Sequence, residues 1–164
     1  MRALLLLALV AFGVGCGDPE LRHYRVAVDV APLASLPASC YGGGTLPPER
    51  PRDNGFQALR WTLWEAEGGR SYLELEAPAG GWVLGDAPAI EAPGAIAGTD
   101  DVFAAERVDL SASDEPVRTR SVRVEFLERG ELARGTLELK SSDATGVSCS
   151  AMLAFTARDA PGEE

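Results

Sequence analysis

The sequence predicts an all-β fold: an antiparallel meander of six to eight strands, closed or partly closed as a small barrel, with a two-sheet sandwich as the alternative. Two observations carry this. Apolar and polar residues alternate with period two along several stretches, as they do when one face of a strand is buried and the other is wet. Turn signals rich in Gly, Asp and Ser separate those stretches, so neighbours in sequence become neighbours in a sheet.

The first strand runs from His23, with Tyr24, Val26, Val28 and Val30 on one face and Arg25 and Asp29 on the other. Ala31 to Asn54 then breaks into Pro and Gly, with Cys40, Gly42-Gly43-Gly44 and Pro47-Pro48, and reads as a long loop. Residues 58 to 77 form a hairpin about the three-residue loop Glu67-Gly68-Gly69. That loop pairs Leu63 with Leu73 and Trp61 with Leu75 on the inner face, and Trp64 with Tyr72 and Arg60 with Glu76 on the outer. A two-residue loop would set Leu63 against Glu74, and a slip of one place turns every side chain to the wrong side.

From Ala77 to Asp101 only short strands are legible, near Trp82-Val83-Leu84 and Ala89-Ile90. Asp101 to Leu110 admits two readings: a short helix capped by Thr99 or Asp100, or a strand through Arg107-Val108-Asp109-Leu110. A second hairpin turns at Arg129-Gly130, setting Val122, Val124 and Phe126 against Leu137, Gly135 and Ala133, with Glu125 meeting Arg134 outside. The last strand, Val147 to Ala157, puts Val147, Cys149, Ala151, Leu153 and Phe155 on one face. Small residues at 133 and 135 then leave room for the rings of Phe126 and Phe155.

The start of the chain has its own pattern. Arg2 precedes an apolar run from Ala3 to Val14, too short and too Gly-terminated to span a bilayer as a mature helix. Gly13-Val14-Gly15-Cys16 follows, and this segment resembles the signal of a bacterial lipoprotein, with Gly13 where that class most often has Leu. The resemblance implies cleavage before Cys16 and acylation of that residue, which anchors the mature chain in the membrane. Gly17, in place of the Asp that retains some lipoproteins at the inner membrane, leans the localisation to the outer membrane of a bacterial envelope. The expected organisation is a signal at 1–15, a lipidated tether at 16–22, one β domain at 23–158 and a flexible tail at 159–164. With Cys16 given to lipid, Cys40 and Cys149 remain as a pair in an oxidising compartment and are expected to form a disulfide. That bridge brings the first and last strands together, as barrel closure requires.

The formal charge of −10 argues against nucleic acid and against attraction to anionic head groups by net charge. Catalytic chemistry is sparsely supplied. His23 is the only histidine and alternates outward, no Gly-x-Ser-x-Gly occurs, and the pairs Glu65/Glu67, Glu74/Glu76 and Asp100/Asp101 read as solvent-facing. Asp86, Asp100 and Asp101 lack the spacing of a calcium loop, and no cofactor or metal is expected. The outward aromatics Trp64 and Tyr72, with Arg60 and Trp82, form the candidate binding platform, the alternative being that the Trp82 loop or the Pro-rich 31–54 loop covers the two rings. The expectation is a non-catalytic binding or structural domain, lipid-anchored, for an envelope protein, glycan or small ligand. A lipocalin-like carrier with an interior pocket is the alternative, and a small envelope enzyme the less favoured third reading.

Overall fold

The computed structural model describes residues 21–41, 56–66, 69–76 and 95–161. The signal and Cys16, the loop residues 42–54, Glu67 and Gly68, Trp82 with the short strands expected around it and near 89–90, Asp86 and residues 162–164 lie outside this range. Among the described residues eight strands are formed: β1 (Leu21–Asp29), β2 (Phe56–Ala66), β3 (Arg70–Leu75), β4 (Ile96–Thr99), β5 (Val102–Leu110), β6 (Pro116–Glu128), β7 (Leu132–Asp143) and β8 (Ser148–Asp159). Each pairs antiparallel with the next, and β8 returns to pair with β1, giving a closed up-and-down barrel. Closure leaves no free sheet edge along the β8–β1 seam, where Val26 lies opposite Ala157 and Val28 opposite Phe155.

Alternation decides the inside. Tyr24, Val26 and Val28 from β1, Leu59, Trp61 and Leu63 from β2, and Cys149 through Ala157 at every second place of β8 all point into the barrel. Aromatic rings fill its middle. Phe126 meets Phe155 edge-on at 5.3 Å and Phe103 at 5.9 Å, and Trp61 meets Phe155 at 4.8 Å. Such offset contacts add to the burial of each ring, which alone contributes roughly 1.5–3 kcal/mol. Two glycines make the space. A side chain at Gly98 would run into the ring of Phe103, and one at Gly135 into that of Phe155 at 2.7 Å.

The β2–β3 register is the expected one, with Leu63 opposite Leu73, Trp61 opposite Leu75 and Trp64 opposite Tyr72. Glu76 continues it by donating its N–H to the Arg60 carbonyl. The β6–β7 register is not. Val122 lies opposite Leu139, Val124 opposite Leu137 and Phe126 opposite Gly135, while Glu125 faces Thr136 and Arg134 faces Glu128 across a bulge at Leu127. The expected pairing was two places out, and a shift of two keeps every residue on its own face. Hydrophobic alternation is therefore blind to it, and the fit of the Phe126 ring beside Gly135 decides. Asp101 to Leu110 resolves as a strand, because Phe103 is wholly buried opposite Gly98. In place of the helix start, Asp100 occupies a turn at positive φ. The four-residue β4 was not expected.

The loop after β1 contains two short 3-10 turns, Ala31–Ser35 and Ala38–Tyr41. Val30, Leu33 and Cys40 are buried there and close one end of the barrel. The Cys40–Cys149 disulfide, with Cα atoms 5.7 Å apart, ties this plug to the start of β8.

Candidate binding surface

The interior holds no room for cargo around its fully buried side chains. Leu73, Phe103, Val124, Leu137, Leu139 and Leu153 have no accessible surface at all, whereas a void the size of one water would expose the groups lining it. No cavity opens among these residues, and the side chains of the opposite alternation form the outer wall of the barrel.

On that wall the ladders define rows. Leu21, Trp64, Tyr72 and Ala97 lie in one row across β1 to β4. The Trp64 and Tyr72 rings stack, with centroids 5.9 Å apart and planes 20° from parallel, and both side chains are half-buried. The next row holds His23, Thr62 and Glu74, where His23 Nδ1 lies 3.3 Å from Thr62 Oγ1. Arg60 belongs to the third row, on the same wall but about 13 Å along the strand from Trp64. The structure therefore brings Trp64 and Tyr72 together and sets Arg60 apart from them; Trp82 lies outside the described residues.

Arg60 has other company, which sequence reasoning missed. Arg25 stands opposite Arg60 in the β1–β2 ladder and opposite Arg158 in the β8–β1 ladder. All three are exposed, and with Leu132, Glu76, Ala27, Ala58 and Thr156 they line a hollow of about 660 Å³. Only the seam register places Arg158 beside Arg25. Period two alone makes each of them an ordinary solvent-facing residue.

Single members of the carboxylate pairs have structural employment. Glu65 and Asp101 converge on Arg129, whose Nε lies 2.5 Å from Asp101 and whose guanidinium lies 5.4 and 5.5 Å from the ring centres of Phe126 and Phe103. Arg129 thus caps the aromatic core at the rim by charge and cation–π attraction together. Near the opposite end, Asp109 receives a 2.5 Å hydrogen bond from the buried Arg120 and one from Arg107. Burial works against ionisation of Asp109, but the Arg120 hydrogen bond and the charges of Arg120 and Arg107 outweigh it and hold the carboxyl below its ordinary value. Hydrogen bonds from the Thr145 hydroxyl and from the backbone of Val147 and Thr145 likewise lower Asp143, in the β7–β8 turn. Among the described residues, no three His, Cys, Asp or Glu side chains are placed to hold a metal ion.

Comparison of the chain with protein-family models, curated proteins and solved structures returned no match.

Proposed function

We propose that the protein is a lipid-anchored component of a bacterial cell envelope whose barrel is a non-catalytic binding domain that recognises its partner, most simply an envelope glycan, on the outer wall. The stacked Trp64 and Tyr72 carry the reading. Two aromatic rings half-exposed side by side offer an apolar face on which sugar rings settle, and among the described residues the side chains at the middle of the barrel are fully buried. The lipobox ending at Cys16 supplies the address, and several acyl chains on one cysteine hold firmly where one alone is marginal. Outer-membrane placement follows from Gly17 in the same resemblance.

Co-sedimentation with purified peptidoglycan sacculi tests the platform. Wild-type protein is expected in the pellet, and W64A/Y72A in the supernatant with its melting transition still cooperative. Equal sedimentation of the two would remove the aromatic pair from recognition.

A further inference from the structure

The barrel is sealed between β8 and β1, but among the described residues β5 keeps an open edge. Its ladder with β4 holds only Gly98 opposite Phe103 and Thr99 opposite Val102, whereas β6 follows the other side of β5 as far as Leu110. The main chain fixes which groups the open side presents. Val102 turns its N–H and C=O toward Thr99 across a two-residue turn, and every second residue of a strand points the same way. The other set faces β6: the Asp101 carbonyl accepts from the Phe126 N–H, and the Ser111 N–H donates to the Glu115 carbonyl. Glu106, Val108 and Leu110 therefore aim their main-chain donors and acceptors away from β6. No residue from Ala104 to Leu110 is buried, on either face of the strand. Val108 is 43% exposed, Leu110 54% and the neighbouring Val117 of β6 39%. An open edge bearing apolar side chains is a template for another strand.

We propose that this strand is β5 of a second copy of the chain, the two edges meeting antiparallel about a two-fold axis at Val108. Charge complementarity along the edge selects both the partner and the register. A two-fold pairing sets one residue opposite its own copy. Centring on Glu106, Arg107 or Asp109 would set a charge against itself, which destabilises the pair. Centring on Val108 sets valine on valine and Glu106 opposite Leu110, and it sets Arg107 opposite Asp109 in both directions. Those two charged pairs fall at positions without main-chain hydrogen bonds, where facing side chains lie closest. Asp109 already holds Arg107 and Arg120 of its own chain, and the pairing brings it a second Arg107. The overlap from Glu106 to Leu110 makes about six main-chain hydrogen bonds. It also takes the exposed Val108 and Leu110 out of water, and the two barrels become joined by one continuous sheet.

Native mass spectrometry of the protein purified in detergent, over a range of concentrations, tests it. Wild type should show a dimer that grows with concentration. V108P removes an N–H that β6 does not use, which an edge strand tolerates, so its melting temperature should stay near that of wild type. One bond is lost from each copy, and the dimer should weaken roughly tenfold to a hundredfold. Oxidative cross-linking reads the register. A mixture of E106C and L110C should give a disulfide-linked dimer. E106C alone should give none beyond the wild-type background, because residue 106 and its copy then lie about 13 Å apart along the strands. A wild type monomeric at every concentration, a dimer indifferent to V108P, or cross-linking of E106C alone equal to that of the mixture would overturn the proposal. Of these, a monomer in which V108P melts lower would give the edge to another segment of the same chain, and a monomer in which it melts unchanged would give it to a different protein.

Discussion

Single residues decide what the alternation leaves open. Gly135 lies between Phe126 and Phe155 in the ladders, and even a methyl group there meets the Phe155 ring. G135A is expected to lose about 1–3 kcal/mol of stability by overpacking, read as a lower denaturant midpoint with an unchanged slope. Asp109 supplies a prediction with a sign. Its folded carboxyl ionises below the unfolded value, so the stabilisation is complete at neutral pH, starts to fall as pH drops past about 4, and is gone below the folded value. D109N is therefore expected to cost about 1–3 kcal/mol near pH 7, as loss of a charged hydrogen bond does. The gap from wild type should narrow as denaturation series are carried below about pH 4; a gap that stays constant as the pH falls would show that the ion pair is not its source.

Elements were legible in proportion to how strongly a turn or a face constrained them. The β2–β3 hairpin was readable to the residue because one slip would bury Glu74, and its loop length left one register that kept Leu63 on Leu73. The β6–β7 hairpin was not, since a shift of two changes partners without changing faces; the deciding features are a ring seated by a glycine and Arg129 folded over Phe103 and Phe126. β4 escaped notice because Ile96-Ala97-Gly98-Thr99 offers one large apolar side chain and no run of alternation. The rim contact also predicts an outcome. R129Q removes the charge that both carboxylates and both rings attract, and should cost about 1–2 kcal/mol. Hydrogen exchange should then accelerate at the β4–β5 and β6–β7 tips more than in β8, and uniform acceleration would place the effect elsewhere.

At the scale of the whole molecule, closure followed from cysteine counting. Pairing Cys40 with Cys149 joined the plug behind β1 to the start of β8, and the ladder between those strands is what seals the barrel. The bridge encloses a separation of 109 residues, for which the chain-entropy model gives about 4–5 kcal/mol. C40A/C149A should lose much of that in equilibrium unfolding, with the barrel still forming at low temperature. The site was less legible than the fold: Trp64 and Tyr72 meet as expected, but Arg25, Arg60 and Arg158 become neighbours only through the seam register. Net charge concealed them, because it averages over a surface on which they are concentrated. The most direct test of an anchored, disulfide-closed barrel is the intact mass of the envelope-extracted protein under non-reducing conditions. A chain beginning at an acylated Cys16, lighter by two hydrogens and inert to thiol alkylation, is the expected result; an unacylated chain, or one with two titratable thiols, would contradict it.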